Sequence, residues 1–287
     1  MTLFTNIKSF DKSFLLKLWL SLILYQLSVC PVSAQKDTMD IKDYILIINT
    51  YTESFPWSNR LISTATNFVK DDPKLAVYTE HMNMIMIDND SILDQFKDSL
   101  FDRYGSHRPR MLLLLGNSSL ILKDDLRKMW GDIPMVLCAG KDYTGPEHYY
   151  LTKQPIPLSE RVPLAELSQS CNLTYLYANL YIHENVEMMF RTLPRMKRFI
   201  YVGDERFVNQ VNSQEIQEIL RTKHPDVHYT FLSSRDIKKT NQLIDSLNFV
   251  DPRSTGILFS SWFHKRQFAG NMMLTMILPE IVSTVSP

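Results

Sequence analysis

The sequence contains few glycines and few cysteines, and neither charge sign is in excess. Only 8 of its 287 residues are glycine, below the typical ~7%, which argues against a glycine-rich phosphate-binding protein. Its 3 cysteines are too few for a disulfide scaffold. The 31 basic residues balance the 31 acidic ones, so no global positive field draws the chain to nucleic acid.

What the sequence does contain is ordinary for a globular protein. Hydrophobic residues make up 45% and charged residues 22%, which excludes a disordered or fibrous chain. The length suits about two domains at ~150 residues each. No GxSxG elbow, P-loop or GxGxxG motif occurs in the sequence, so hydrolase, NTPase and dinucleotide-binding functions lack support.

Residues 1–34 have the pattern of a secretory signal peptide. Three lysines precede or interrupt an apolar stretch from Leu18 to Val29, and small residues follow up to Ala34. The alternative is an uncleaved membrane anchor, although the apolar run is shorter than the ~20 residues that cross a bilayer. Cys30 lies in a poor match to a lipoprotein box. We therefore expect the rest of the chain to be exported.

After the leader, predicted strands and helices alternate. Continuous apolar runs such as Tyr44–Asn49 (YILIIN) are typical of buried parallel strands. Further strands are predicted at Leu75–Thr79, Arg110–Leu115, Pro134–Cys138, Leu173–Tyr177, Arg198–Val202, Val227–Leu232 and Gly256–Ser260. Helices are predicted at Ser58–Val69, Ser91–Tyr104, Leu120–Met129, His183–Leu193, Ser213–Lys223 and Ile237–Leu247. The pattern predicts an α/β fold.

The proline-containing stretch from Ala139 to Cys171 has few periodic signals and is interpreted as loop and connection. We therefore predict two lobes, each a mostly parallel sheet flanked by helices. The first lobe with its connection is assigned to residues 35–165 and the second to residues 166–287, and whether the second lobe is complete is left open. Two such lobes form a cleft that can close on a ligand.

Candidate ligand-binding residues follow the predicted strands, because open α/β sheets bind ligands beyond the carboxyl ends of their strands. The set is Tyr51, Glu53, Phe55, Trp57, Asn117, Ser118, Lys141, Asp142, Tyr143, Asp204, Arg206, Ser261 and Trp262.

The loop after the first strand combines the rings of Tyr51, Phe55 and Trp57 with polar side chains such as Glu53. Aromatic faces with interspersed hydrogen-bonding groups suit a sugar or another small polar molecule. The alternative is that the rings fasten the loop to its own lobe. Trp262 is the expected wall of the cleft in the second lobe.

Polar residues after the later strands have two interpretations each. Asn117 and Ser118 are expected either to hold an anionic or hydroxylated group or to cap the following helix. Lys141, Asp142 and Tyr143 would face the same cleft. Asp204, Arg206 and Ser261 would face it from the other lobe. The alternative for the charged residues is a solvated surface.

We expect no metal and no cofactor. His81 lies near Glu80, Asp88 and Asp90, but the spacing fits neither HExxH nor a calcium loop. Cys138 ends an apolar strand and is expected to be a buried thiol. A disulfide between Cys138 and Cys171 is left open.

The order of several segments resembles a known family. The segments are YILIINTYTESFPWSNRLI, VYTEHMNM, MLLLLGNSS, IPMVLCAGKDYTG, YIHENVEMMFRTLPRMKRFIYVGDERF and GILFSSWF. They are similar to the extracytoplasmic sensor region of hybrid two-component histidine kinases. More broadly, they resemble the substrate-binding proteins of ABC importers with the type I periplasmic-binding fold. The resemblance covers residues 43–263.

The resemblance implies a non-enzymatic sensor that binds a small nutrient-type ligand, such as a glycan fragment, and signals by hinge motion. It further implies a homodimer and a membrane-embedded kinase in a longer protein. The implied location is the periplasm, with tethering to the inner membrane if the chain is part of a longer sensor kinase. Kinase domains are not among these 287 residues, so we expect no kinase activity in the chain. The alternatives are a solute-binding protein of an ABC importer, recognition of another periplasmic protein, and a periplasmic enzyme on a similar scaffold.

Overall fold

The computed structural model describes residues 43–53, 55–233 and 250–260, and the backbone of two short strands at 264–266 and 270–272. The predicted leader, the predicted helix Ile237–Leu247, and both Ser261 and Trp262 lie outside the described residues. In the described part of the chain no helix is long and apolar enough to span a bilayer.

The first lobe is built on a five-stranded parallel sheet with the order β2-β1-β3-β4-β7. Its strands are β1 (Tyr44–Asn49), β2 (Ala76–His81), β3 (Met111–Leu115), β4 (Met135–Ala139) and β7 (Leu173–Tyr177). The central strands are buried, and they are apolar along their length because helices flank the sheet.

The helices of the first lobe alternate with these strands. They are α1 (Pro56–Val69), α2 (Asp90–Tyr104), α3 (Lys123–Trp130), α4 (Glu147–Thr152) and α5 (Leu164–Ser170), with 3₁₀ turns at Asn117–Leu122 and Leu158–Glu160. A small antiparallel pair, β5 (Tyr143–Thr144) and β6 (Val162–Pro163), lies between β4 and α5. The strand order reverses direction between β1 and β3, and the loops that leave these two strands therefore diverge.

The second lobe is built on a three-stranded parallel sheet with the order β10-β8-β9. Its elements are α6 (Ile182–Thr192), β8 (Arg198–Val202), α7 (Phe207–Lys223), β9 (His228–Leu232) and β10 (Thr255–Phe259). Phe199 and Tyr201 of β8 pack with Val186 of α6 and Ile216 of α7 in one buried cluster. A short antiparallel pair, β11 (His264–Arg266) and β12 (Gly270–Met272), follows.

The predicted two-lobed α/β fold with mostly parallel sheets flanked by helices is confirmed. The described residues of the two lobes belong to one compact unit. The predicted strands agree with the structure to within two residues at each end.

The stretch 139–171 is not simply a connection, as the sequence had suggested. It contains α4, α5 and the β5–β6 pair. Pro146 and Pro163 directly precede the two helices, where the fixed φ of proline is compatible with a helix start. A pattern interpreted as a linker therefore marks element boundaries.

The predicted lobe boundary at residues 165 and 166 lies too early in the chain. Strand β7 hydrogen-bonds to β4, so residues 173–177 belong to the first sheet and not to the second lobe. The described chain passes into the second lobe between Tyr177 and Ile182. A second difference is that α7 begins at Phe207 and not at Ser213, which places its first turn beside the cleft.

Both described cysteines, Cys138 and Cys171, are buried and free. This confirms the expected buried thiol at Cys138. Burial raises the pKa of both thiols, so the reactive thiolate is disfavoured.

Candidate functional site

A pocket lies between the lobes, at the carboxyl ends of β1, β3 and β4. It contains ≈ 720 Å³ of atom-free space, a volume that includes space open to solvent. The first lobe lines it with Thr50, Tyr51, Thr52, Asn83, Met84, Ile85, Gly116, Asn117, Ser118, Gly140, Lys141 and Lys153, and the second with Arg206, Phe207 and Val208. The pocket includes the reversal point of the first sheet, where α/β proteins bind ligands.

The floor of the pocket depends on a close approach between the loops after β1 and β3. Thr50 donates hydrogen bonds to the Leu115 carbonyl from its backbone N–H (3.1 Å) and its hydroxyl (2.8 Å). Gly116 has a φ of 94°, and a Cβ there would lie 2.3 Å from Thr50 Oγ1 and 3.3 Å from the Tyr51 ring. Both the backbone conformation and the space therefore require glycine at this position.

Asn117 holds the loop after β4 in place. Its Nδ2 donates to the carbonyls of Lys141 (2.8 Å) and Tyr143 (2.9 Å). Its Oδ1 accepts from the backbone N–H groups of Gly140 (2.9 Å) and Lys141 (3.2 Å). Both donors and both lone pairs of the amide are thus engaged. The 3₁₀ turn that follows has Gly116 at its N-cap and no side-chain cap hydrogen bond, so the alternative that Asn117 caps a helix does not hold for this turn and the side chain positions a loop.

The aromatic residues of the first loop form a cluster, of which only Tyr51 lines the pocket. The Tyr51 ring stacks on Phe55 at 4.5 Å and meets Trp57 edge-on at 5.5 Å between centroids. Burial raises the pKa of the Tyr51 phenol, and the nearby positive charge of Arg206 opposes that shift. Phe55 and Trp57 support Tyr51, which agrees with the interpretation that the rings fasten the loop to its own lobe.

The second lobe contributes a fixed guanidinium group. Asp204 is 1% exposed and accepts from Arg206 Nε (2.9 and 3.0 Å) and from the Arg206 backbone N–H (3.0 Å). The Arg206 Nη2 also lies 2.8 Å from Asp204 Oδ2. Asn209 Nδ2 donates to the same carboxylate at 2.8 Å. Asp204 is outside the pocket lining, so its role is to orient Arg206.

Contacts among the described residues cross from one lobe to the other around the pocket. Lys141 Nζ donates to Glu215 Oε2 of α7 at 2.8 Å. The Arg206 guanidinium lies 5.2 Å from the centroid of Phe55, a cation–π contact. The ring of Tyr150 lies 4.6 Å from that of Phe207. These contacts bring the lobes together at both sides of the pocket.

The structure adds residues that the sequence analysis missed. The Lys153 ammonium is buried and donates to the carbonyls of Met84 (2.7 Å), Ile87 (2.5 Å) and Tyr150 (3.1 Å). Lys153 has a φ of 60° and Asn83 a φ of 49°. These residues do not follow a predicted strand directly, so the rule that selected candidates at strand ends passed over them.

The remaining candidates take different places. The candidates that line the pocket are Tyr51, Asn117, Ser118, Lys141 and Arg206. Phe207 and Val208 also line it, and they were not predicted because α7 begins at residue 207, earlier than the sequence indicated. The candidates outside the lining are Glu53, Phe55, Trp57, Asp142, Tyr143 and Asp204.

Two groups of side chains outside the pocket contact other residues of the protein and stabilise the fold. The ring of Tyr143 lies 4.3 Å from the Arg161 guanidinium, and burial raises the pKa of its phenol. His81 Nδ1 lies 2.9 Å from Asn49 Nδ2, whereas Glu80 accepts from Arg103 and Tyr104 at 2.7 Å each. In the described ranges, no group of three or more His, Cys, Asp or Glu side chains is arranged to hold a metal ion.

No family model matches the chain, and no curated protein matches it at a significant level. Among solved structures, the chain is similar to a ligand-free, open structure of a substrate-binding protein with adhesive properties from Clostridium difficile. The TM-score is 0.39 and the sequence identity is 12%. The match covers 72% of this chain and 62% of that protein.

Proposed function

We propose that this chain binds a small polar molecule in the pocket between its lobes. The observation that carries the proposal is the composition of the pocket walls. One wall comes from the carboxyl end of the five-stranded sheet, and the other comes from Arg206, Phe207 and Val208 of the second lobe. A ligand in this position contacts both lobes, so it stabilises the arrangement in which they are together.

Hinge motion at the segment 178–181 would turn ligand binding into a signal. This segment joins β7 of the first lobe to α6 of the second, and it contains Tyr181 with a φ of 50°. A ligand that binds one hinge state more tightly than the other shifts the balance between them by that difference in affinity.

The biological setting that we propose is the periplasm-facing sensor region of a two-component histidine kinase. Support comes from the order of the sequence segments that resemble that family. In this setting the ligand is a nutrient cue such as a glycan fragment, the sensor is a homodimer, and catalysis belongs to kinase domains of a longer protein. The alternative is a solute-binding protein of an ABC importer. Neighbouring genes distinguish them, since permease genes would indicate the importer.

A thermal-shift screen of the full chain against sugars, sugar acids, amino acids and other small nutrients tests binding. A ligand at 100 times its dissociation constant adds about 2.7 kcal/mol of stability, which is readily seen as a higher melting temperature. The variants Ser118→Trp and Val208→Trp fill the pocket from opposite lobes and should abolish the shift. Ser63→Trp, on an exposed position of α1, is the matched control and should retain it.

Two outcomes would contradict the proposal. One is a ligand whose shift survives both pocket-filling variants, because it would bind elsewhere. The other is a screen in which no compound raises the melting temperature of a cooperatively unfolding protein. Small-angle scattering supplies the test of hinge motion, since ligand binding should reduce the radius of gyration.

A further inference from the structure

All charged side chains that line the interlobe pocket within the described ranges are basic. They are Lys141, Lys153 and Arg206. The carboxylates that pair with two of them, Glu215 for Lys141 and Asp204 for Arg206, are not part of the lining. A molecule that enters the pocket therefore meets positive groups first.

Burial strengthens the effect of these charges on a ligand. The side chains of Lys141 and Arg206 are 11% and 13% exposed, and Lys153 is buried. Coulomb interactions are several times stronger in such surroundings than in water, because solvent screens them less. A cationic ligand would be repelled from several sides, whereas an anionic ligand would be attracted.

Of the basic side chains in the lining, Lys141 is the one that can most readily exchange its carboxylate partner for a ligand. Its carboxylate partner, Glu215, is 41% exposed, so water can solvate Glu215 when the ion pair separates. Exposed carboxylates lose little free energy in such an exchange. Arg206 differs, because its partner Asp204 is buried and contacts it through both oxygens.

The rest of the lining is largely apolar. Met84, Ile85, Phe207 and Val208 contribute side chains, and the Tyr51 ring lies beside them. Such walls accommodate the carbon skeleton of an organic molecule, while the basic groups select its charged end. The combination disfavours a bare inorganic ion.

We propose that the pocket takes a small organic carboxylate and that Lys141 forms the ion pair with it by exchanging Glu215 for the ligand. This assignment rests on the proposed function, because it names the ligand class of the same pocket. Arg206 and Lys153 contribute fixed positive charge to the walls.

Two sets of compounds, each with a similar skeleton and different charges, test the assignment on the full chain. One set is glucuronate, glucose and glucosamine, and the other is 3-phenylpropionate, 3-phenylpropionamide and 3-phenylpropylamine. Within a set the skeleton is similar and the charge changes from negative to neutral to positive. We expect the acid to bind most tightly by calorimetry, and its affinity to fall as salt is added, because ions screen the attraction.

Variants separate the charge effect from a structural effect. Lys141→Gln should weaken binding of the acid about tenfold, the loss expected for one charge-assisted contact, and should leave the neutral compound within about twofold. Glu215→Gln should strengthen binding of the acid, because it removes the competing carboxylate. Lys97→Gln is the matched control: Lys97 is also a mostly buried, ion-paired lysine, 17% exposed, but it lies outside the lining.

The outcomes distinguish this inference from the proposed function. If a neutral or cationic compound binds as tightly as its acid, and Ser118→Trp abolishes that binding, the pocket functions but the carboxylate assignment is wrong. An equal loss of affinity for the acid and the neutral compound in Lys141→Gln would also overturn it, because Lys141 would then only hold the lobes together. Absence of binding by every compound of both sets and of the wider screen overturns both.

Discussion

The two lobes build their edges of the pocket from different chemistry. At the edge of the first lobe, the neutral amide of Asn117 connects the loop after β3 to the loop after β4 through four hydrogen bonds to backbone groups. At the edge of the second lobe, the Asp204 carboxylate holds the Arg206 guanidinium and the Asn209 amide. The Asn117 network fixes the backbone of a loop, and the Asp204 network fixes the position of a charged side chain.

The comparison indicates that the two lobes have different roles at the pocket. Hydrogen bonds to backbone groups set the shape of a loop, so the first lobe determines the form of the pocket floor. A buried ion pair holds one side chain in one geometry at a high cost of desolvation, so the second lobe determines where a positive charge faces the pocket. The difference predicts that substitutions in the two edges fail in different ways.

The largest effect is expected from the charged edge. Asp204→Asn leaves the Arg206 guanidinium mostly buried without its carboxylate, and breaking such a pair costs about 3–5 kcal/mol of the free energy of unfolding. Urea unfolding at neutral pH measures this. Glu218→Gln in the same lobe is the control, because Glu218 and Arg221 form an exposed pair and its loss should change little. An Asp204→Asn variant as stable as the parent would show that the charged network is dispensable.

Gly116→Ala is the strongest test of the neutral edge. The new Cβ would collide with Thr50, and the φ of 94° is unfavourable for alanine. We expect a loss of about 3 kcal/mol, combining backbone strain with overpacking. Gly140→Ala serves as the control, because that position also lines the pocket but has open space for a Cβ. If both variants have the same melting temperature, the close approach at Gly116 does not matter for stability.

Asn117→Ala should have a smaller effect on stability and a clear effect on binding. The substitution removes four hydrogen bonds whose backbone partners are partly reached by water, so we expect a loss of about 2 kcal/mol. Because the loop after β4 would no longer be held, affinity for any pocket ligand should fall as well. Asn67→Ala, at an exposed asparagine of α1 outside the pocket lining, should lower neither measurement.

The smallest effect concerns alkaline pH and the opposite end of β1. Burial, aided by the neighbouring Tyr78, raises the pKa of Tyr44 to about 12, whereas an unfolded tyrosine titrates near ~10. Because the pKa of Tyr44 is raised in the folded state, its contribution to the free energy of unfolding is complete below pH ~10 and is lost as the pH rises towards 12. Tyr44→Phe should therefore show a shallower decline of the urea midpoint over this interval. An unchanged decline would place the sensitivity in other tyrosines.

Much of the fold could be predicted from local pattern. Strand β1 was predicted with its observed bounds, because a short, continuous apolar run is typical of a strand buried on both faces. The stretch 139–171 could not be predicted in the same way. Its helices of six and seven residues are too short for a periodic signal, and its prolines are equally frequent in linkers and at helix starts.

The site was predicted in part. Strand ends identified five residues of the lining, because the carboxyl ends of parallel strands meet at one edge. The position of β7 in the first sheet could not be inferred, since a strand carries no mark of the sheet it joins. Lys153 was missed for a similar reason, because its contacts with Met84 and Ile87 join residues more than sixty positions apart.

By itself, the sequence determined the alternation of strands and helices, the parallel character of both sheets and the edge of the first sheet at which the pocket lies. These properties follow from hydrophobic periodicity and chain direction, which are local. Only the tertiary structure decided which side chains stabilise the fold and which face the pocket. The sequence analysis named Asn117, Asp204 and Phe55 as candidate ligand-binding residues on the same footing as Lys141 and Arg206. Their roles differ because hydrogen bonds, ion pairs and burial depend on distant segments, and these exist only when the chain is folded.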